Sequence, residues 1–590
     1  MNLGALNSPE AHEDPVTFSG VNKPYQGELK ELLVDEAEAK ALKAESVHFK
    51  SHNLTARQTC DLEMLLNGGF SPLYGFLKKE DYEGVVNNMR LANGVLWPMP
   101  ICLEVGEKFA KSLSDGEKIA LRDTEGRMLA VLVCESIFKP NKALEAEKVF
   151  GSPDDICHPA IDYLLNEAED WYIGGTIKGI ELPTHYDYSK YRATPKQLRD
   201  KVTESGWGRI VGFQTRNPLH RSHRELTLRA AKDAKAGILL HPVVGMTKPG
   251  DVDHHTRVRC YLEICKYYPK DMVILSLLPL AMRMAGPREA LLHAIIRKNY
   301  GCTHFIIGRD HAGPGDNRDK QPFYDPYAAQ ELAKKHEAEL GIKFQFYQMV
   351  VYVEDKAEYF TIDEVPEGSR VLNISGTELR RRLVHGIDIP EWFSYPSVVS
   401  ILRTTYPPRN KQGFTIWLTG LSGSGKSTLA NALRVALLEE SSRVVNLLDG
   451  DEVRQYLSTE LGFSKEHRDI NIKRIGYVAS LITRNRGVAI CAAISPYQQI
   501  RDFVRKLVSP HGGFIEIHVA TPLDVCETRD VKGLYAKARQ GIIKGFTGID
   551  DPYEPPSAPE MIIDSSQCTV KQSVHEVMLY LESQGFIGNS

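Results

Sequence analysis

No two cysteines of this 590-residue chain are spaced as CxxC, and its ten thiols are scattered along the whole length. That excludes a disulfide framework or a zinc ribbon and fits reduced thiols in a cytoplasmic protein. Excess charge of either sign is also missing: 72 Lys and Arg stand against 76 Asp and Glu, a net charge of −4. A nucleic-acid or membrane partner calls for a basic footprint, so neither is expected. Long apolar runs are absent. The longest, Met272 to Met282, is interrupted by Ser276 and Pro279, whereas a membrane-spanning helix needs about 20 apolar residues. The N-terminal stretch MNLGALNSPEAHEDP carries acids where a secretory leader needs a basic start and an apolar core. No internal repeat and no low-complexity segment occurs. The remainder is ordinary globular composition, 42% hydrophobic and 25% charged. At roughly 100–200 residues per domain the length allows about three to five domains.

Up to about residue 185, short apolar segments alternate with Gly and Pro. Pro98–Val105, Lys118–Leu121 and Met128–Phe138 are expected strands, and Glu28–Ser46 and Thr55–Leu66 expected amphipathic helices. From about residue 190 strands and helices alternate. The strands are Gly208–Phe213, Gly237–Val244, Val273–Leu277 and Thr303–Ile307; the helices are His220–Lys235, Arg257–Tyr267 and Arg288–Asn299. This predicts a parallel sheet covered by helices on both faces, with ligands beyond the carboxyl ends of the strands. Ser375-Gly376-Thr377-Glu378 reads as a capping box opening a basic helix to Leu383. Arg403–Gly413 reads as a linker, after which alternation restarts with the strand Phe414–Thr419. The expected domains are 1–185, 186–405 and 406–590.

Gly420-Leu-Ser-Gly423-Ser424-Gly425-Lys426-Ser427 matches the phosphate-loop pattern GxxxxGK[ST], and Thr428 follows it. It leaves a strand and opens a helix, Thr428–Glu440, which is the context the pattern requires. Glycines let backbone N–H groups turn towards phosphates, and the helix N-terminus adds partial positive charge. Lys426 is placed to reach the β- and γ-phosphates, and the Ser427 hydroxyl to join a Mg²⁺ shell. Another strand, Val444–Leu448, ends in Asp449-Gly450-Asp451. A carboxylate there holds Mg²⁺, partly through water, or takes a proton from an acceptor hydroxyl.

The C-terminal third resembles the adenylyl-sulfate kinase family over nearly all of 414–590. The stretches that carry the resemblance are LDGDEVR (448–454), LGFSKEHRDIN (461–471), ISPY (494–497), RDVKGLY (529–535) and KGFTGIDDPYE (544–554). It implies that Arg454, Phe463, Arg468, Asn471, Ile494, Ser495, Lys532 and Phe546 bind adenylyl sulfate. Phe463 and Phe546 would sandwich the adenine, Arg468 and Lys532 would face phosphate and sulfate charge, and Asp449 would be the candidate base. Glu452 stands where the family usually has Asn, and Ile470 where it usually has an acid.

In the central part, Gln214-Thr215-Arg216-Asn217-Pro218-Leu219-His220-Arg221-Ser222-His223 follows a strand and runs into a helix. His220 and His223, three apart, are expected on one face of the first helical turn, where the helix N-terminus favours anions. Taken alone, this HxxH is equally compatible with helix capping or a metal pair. Gly308-Arg309-Asp310-His311-Ala312-Gly313 leaves another strand, and Met284-Ala285-Gly286-Pro287-Arg288-Glu289 starts a helix. With GGFSPLYGF (68–76), TKPGDVDHHTRVR (247–259) and ISGTELRRRL (374–383), these resemble the ATP sulfurylase family over roughly 20–400. The resemblance implies a PUA-like β-barrel at the N-terminus and a Rossmann-like nucleotidyltransferase domain after it. Gln214, Thr215, Arg216 and Asn217 would contact ATP and sulfate, Arg216 holding the sulfate. His220 and His223 would stabilise the transition state. Gly308, Arg309, Asp310 and His311 would contact ATP, Ala312 sulfate, and Val350 the adenine. Asp251, Asp253, His254 and His255 look like a metal cluster but are read as an active-site loop, and no tightly bound metal is expected.

The expectation is an α/β multidomain enzyme that makes adenylyl sulfate and pyrophosphate from ATP and sulfate. It would then phosphorylate adenylyl sulfate with a second ATP to 3′-phosphoadenylyl sulfate (PAPS), using Mg²⁺ with ATP, as a homo-oligomer. Three rivals stay open: a C-terminal domain that only binds PAPS and regulates, a fused transferase and kinase with other substrates, and a first site that runs backwards to make ATP.

Overall fold

The computed structural model describes residues 20–440 and 443–588; the N-terminal fifteen residues read above for a leader lie outside them. The chain forms two compact units. One comprises Met1–Ile374 with Pro390–Ile401, the other Ser375–Ile389 with Leu402–Ser590. Among the described residues the strands make four sheets.

The first unit opens with a six-stranded sheet of β1 (Lys50–Asn53), β2 (Gly75–Phe76), β3 (Leu103–Val105), β4 (Lys118–Arg122), β5 (Met128–Phe138) and β6 (Trp171–Gly179). The order is β1-β4-β5-β6-β2, with β3 also on β6. Next comes a five-stranded sheet of β7 (Ile210–Phe213), β8 (Gly237–Leu240), β9 (Val273–Leu275), β10 (His304–Ile307) and β11 (Lys343–Phe346), in the order β11-β10-β7-β8-β9. All its pairings are parallel, as the alternation of elements requires. Helices α1 (Arg221–Ala234), α2 (His254–Cys265) and α3 (Gly286–Asn299) connect it. A small antiparallel sheet of β12 (Val350–Val353), β13 (Glu358–Thr361) and β14 (Val371–Leu372) completes the unit. One hydrophobic core takes Phe70 and Trp97 from the first part and Leu239, Ile295 and Phe305 from the second. Buried Asn299 fastens the two parts by donating to Gly69 O and Ser71 O, both at 3.0 Å.

The second unit carries a parallel sheet of β15 (Phe414–Thr419), β16 (Val445–Asp449), β17 (Val488–Ala492), β18 (Gly513–Val519) and β19 (Met561–Ile563), ordered β16-β17-β15-β18-β19. Its helices include α4 (Lys426–Glu440), α5 (Gly450–Tyr456) and α6 (Lys465–Arg484). Apolar residues of the sheet, including Ile416, Ile490 and Ile517, pack against Leu433 and Leu437 of α4.

Three expectations need correction. The helix placed over Glu28–Ser46 starts only at Glu36, where Asp35 caps it by accepting from Glu38 N at 2.8 Å. The residues before it run alongside other segments, Leu32 N donating to Leu66 O and Val34 N to Gly179 O. The linker placed at Arg403 is shorter, because the helix Pro396–Thr405 runs into it. Ser375 caps its helix by accepting from Glu378 N at 3.1 Å, but the reciprocal half of a capping box is not formed.

Candidate active sites

β7 and β10 lie side by side in the sheet of the first unit, and the chain's path through the sheet reverses between them. In open parallel sheets a ligand crevice forms beyond the strand ends at such a reversal. Both expected loops leave these ends, Gln214–Asn217 after β7 and Gly308–His311 after β10.

Each loop side chain is positioned from behind. Arg297 of α3, fully buried, donates to Gln214 Oε1 and, at 2.9 Å, to His241 O. With its carbonyl oxygen so engaged, Gln214 turns its NH₂ the other way, towards Met282 Sδ at 3.6 Å. The Thr215 hydroxyl donates to Asn217 O at 3.1 Å and accepts from Asn217 N at 3.2 Å. Tyr261 also donates to Asn217 O, at 2.9 Å. Arg257 holds the Arg216 carbonyl at 3.1 Å, while the Arg216 guanidinium is ion-paired with Asp251.

His220 is the cap of α1 rather than a member of its first turn, with φ −121° and ψ 179°. This corrects the expected face-sharing pair. Instead, His220 N donates to His223 Nδ1 at 3.1 Å, which leaves Nε2 as the protonated nitrogen of a neutral His223. His220 Nδ1 meets Ser394 Oγ at 2.9 Å, and its ring lies against Phe393, centroids 4.5 Å apart. Burial, with the charge of His223 adding, pushes the His220 pKa down to about 3. Burial takes His223 down to about 4. Both are therefore neutral N–H donors near pH 7, not imidazolium ions.

The Gly308 loop turns through left-handed conformations at Asp310 (φ 51°) and Ala312 (φ 53°). Ala312 O accepts from Gly286 N at 3.1 Å, joining this loop to the Met284–Glu289 motif. His311 Nε2 lies 3.0 Å from His293 Nδ1, and His293 Nε2 lies 3.5 Å from Glu289. Burial opposes ionisation of Glu289. The His293 contact and the backbone N–H groups of Arg283 and Ala285 nonetheless hold its pKa down to about 2. Arg309 and Asp310 form an exposed pair, 3.4 Å apart, and Val350 is half-buried at the start of β12. The Asp251–His255 group does not converge. Asp251 goes to Arg216, and Asp253 caps α2 through Thr256 N at 2.9 Å. His254 and His255 instead come within ligand-sharing distance of Asp187, which Arg192 already grips with two 2.9 Å bonds.

In the second unit, Gly420, Gly423 and Gly425 have φ of 149°, 75° and 99°. A Cβ on Gly420 would meet Val519 O at 2.5 Å. The pattern's glycines are thus sterically required, and they carry the chain into α4. Ser424 is buried, its carbonyl accepting from Thr521 and Ser565. Lys426 is buried, with Nζ donating to Leu421 O at 2.7 Å, and burial lowers its pKa to about 8. Ser427 Oγ donates to Asp449 Oδ2 at 2.6 Å, and Asp449 Oδ1 accepts from Asp451 N at 3.0 Å. Thr428 is exposed. Hard oxygen donors from a strand end and a phosphate loop, brought together, suit Mg²⁺.

Two of the cations expected to face substrate anions are engaged with carboxylates. Lys532 pairs with Asp451, and Arg468 pairs with Asp551 at 2.7 Å while holding Gly545 O at 2.8 Å. Arg454 holds Leu461 O and Gly462 O, its guanidinium 4.5 Å from the Phe463 ring. Phe463 is 72% exposed; Phe546 stands edge-on to Tyr535 at 5.0 Å. Asn471 is buried with Oδ1 unpartnered. Ser495 accepts from Trp417 Nε1 at 3.2 Å, and Ile494 O accepts from the Thr419 hydroxyl at 2.7 Å. Sequence reasoning missed Arg297, Ser394 and the Asp251 contact. Glu289 stood inside a quoted motif without a role, and nothing local singles out Ser394.

A strand reversal with loops at its carboxyl ends, joined in one chain to a phosphate-loop unit, is the layout of a multidomain nucleotide-dependent transferase. Family models agree. A PUA-like domain matches residues 22–182, ATP-sulfurylase 189–405 and Adenylylsulphate kinase 412–564. The sulfate adenylyltransferase of Chaetomium globosum is 52% identical over 570 residues, covering 96% of this chain and 99% of that one. That of Yarrowia lipolytica is 52% identical over 573 residues, 96% and 100% covered. A solved structure, the hexameric APS kinase from Thiobacillus denitrificans, matches with TM-score 0.80 and 38% identity over 96% of this chain and all of that one. The chain belongs to the sulfate adenylyltransferase family and carries both its sulfurylase domain and an adenylyl-sulfate kinase domain.

Proposed function

We propose that the enzyme activates sulfate in two steps. In the first, a sulfate oxygen attacks the α-phosphorus of ATP, the bond to the β-phosphate breaks, and pyrophosphate leaves. Arg216 and the NH₂ of Gln214 bind the sulfate with the backbone of Ala312. Gly308 to His311 and Val350 bind ATP, with Thr215 and Asn217 fixing the loop. His220 and His223 donate N–H groups to the phosphates as charge builds there, a preorganised form of stabilisation. In the second step the 3′-hydroxyl of adenylyl sulfate attacks the γ-phosphorus of another ATP, giving ADP and PAPS. Lys426 and the loop N–H groups hold the phosphates. Arg454, Phe463, Arg468, Asn471, Ile494, Ser495, Lys532 and Phe546 hold adenylyl sulfate. Ser427, Asp449 and Asp451 would hold Mg²⁺, which when bound offsets phosphate charge. Asp449 is also the candidate base; its contact with Ser427 favours the metal role.

The observation that carries the second step is the Ser427–Asp449 contact beside an intact Lys426. Against it stands a regulatory reading of the second unit, favoured by fungal relatives that match over full length yet bear only the sulfurylase name. Two variants separate the readings. Arg216→Met should abolish pyrophosphate release from ATP and sulfate. Lys426→Met should abolish ADP formation from ATP and adenylyl sulfate. Absence of ADP formation by the unsubstituted enzyme would leave the regulatory reading standing, and an unaltered rate in Lys426→Met would remove Lys426 from the phosphate contacts. We infer a homo-oligomer as well, supported by the hexameric Thiobacillus relative; light scattering at monomer mass would refute it.

A further inference from the structure

The Arg216–Asp251 ion pair sits where the proposed sulfate ligand needs its guanidinium free. Both side chains are largely buried, 19% and 11% exposed. Two further bonds aim the carboxylate: Asp251 Oδ2 accepts from Lys248 N at 3.1 Å, and Asp251 N donates to Lys248 O at 3.1 Å. The strap that carries Asp251 is fastened at both ends. Met282 N donates to Met246 O at 2.9 Å, and Asp253 caps α2. Lys248 Nζ ties its middle to Pro314 O, next to the Gly308–Gly313 loop. Gly250 gives the strap its left-handed turn at φ 84°. The Arg216 backbone is pinned by Arg257, so the guanidinium, not the main chain, is what can change partners.

We propose that Asp251 is a built-in competitor for sulfate at Arg216, and so sets both the affinity and the charge preference of that subsite. This rests on the assignment of Arg216 to sulfate. Asp251 Oδ1 takes one guanidinium nitrogen, Nη1, while Oδ2 is held by Lys248 N, so the carboxylate occupies an N–H that an incoming oxyanion would also need. An incoming anion gains only the difference between its own contact and the one it breaks. A dianion wins that exchange where a monoanion of the same shape gains little. Asp251 thereby lowers sulfate affinity and, in the same act, discriminates against singly charged oxyanions.

The test is Asp251→Asn, nearly isosteric and still able to accept from Lys248 N, with Arg216→Lys alongside. Initial rates of pyrophosphate release give KM for sulfate and for ATP. The sulfate dependence of the thermal unfolding midpoint gives binding without turnover. In Asp251→Asn the sulfate KM and the half-saturating concentration should both fall, by about three- to tenfold for release of a part-buried ion pair. The ATP KM should stay unchanged, and inhibition by a monovalent oxyanion such as nitrate should strengthen. Arg216→Lys should raise the sulfate KM by about tenfold or more. If Arg216→Lys raises it and Asp251→Asn leaves it unchanged or higher, the competitor role is wrong while the sulfate assignment stands. If Arg216→Lys leaves it unchanged, the assignment falls and the inference with it. A structural role for Asp251 can only weaken binding, so a gain of affinity is specific to competition.

Discussion

At the scale of single residues, function depends on groups whose freedom has been removed by neighbours. Lys426 shows this most simply: it is buried, held by one carbonyl, and its pKa is lowered to about 8. A phosphate brought beside it favours the charged form that burial disfavours. In Lys426→Met, PAPS formation should drop by about 10²–10³-fold, as for loss of one strong transition-state contact, with adenylyl sulfate formation unchanged. Rates of the two steps measured separately check this. His220 depends on Ser394 in a similar way, through a 2.9 Å bond to Nδ1. Ser394→Ala should cost about 0.5–1.5 kcal/mol of stability. It should also lower kcat for adenylyl sulfate formation by about tenfold or less, with the ATP KM unmoved. An unchanged kcat would mean that Ser394 only fills space.

At the scale of elements, loops at strand ends present the chemistry and the sheets fix where those ends lie. Gly425 is one such point in the phosphate loop, with φ 99° and Ser565 Oγ 3.2 Å from where a Cβ would stand. Gly425→Ala should cost about 1–3 kcal/mol in backbone strain and reduce ADP formation, leaving the sulfurylase rate intact. Denaturant unfolding and the two assays report these separately. Much of this level is legible in sequence because period and punctuation are local. β7, β10 and β15 fall inside their expected segments, and the phosphate-loop glycines declare themselves by spacing. What fails is long-range. Glu28–Asp35 looks helical by period, but Leu32 and Val34 find backbone partners at Leu66 and Gly179. Arg297 lies 83 positions from Gln214, and Ser394 lies 174 from His220. No pattern within one segment encodes such a meeting. Asp251 is the instructive case: read as part of a possible metal cluster with its neighbours, it is taken instead by a cation 35 positions away.

At the scale of the molecule, the buried histidines of the first unit set how stability responds to acid. Burial lowers the pKa values of His158, His220, His241, His293 and His311 below the ordinary 6.5. The unfolded chain therefore binds more protons than the folded one below that value, and stability rises with pH through the window from about 4 to about 6.5. Glu145, raised by burial to about 7, works in the opposite direction, as does Asp61, also raised by burial. The histidines outnumber them, so the urea midpoint should fall on going from pH 7 to pH 5.5. Each histidine contributes up to about 1.4 kcal/mol at one unit below its unfolded value. A midpoint that rises on acidification would show the carboxyls dominant.

The measurement closest to the central claim mixes purified protein with ATP, Mg²⁺, labelled sulfate and pyrophosphatase, and follows the nucleotides by chromatography. Label should pass through adenylyl sulfate and accumulate in PAPS. Label halting at adenylyl sulfate would contradict catalysis by the second unit. Absence of any labelled nucleotide would contradict the sulfurylase assignment itself.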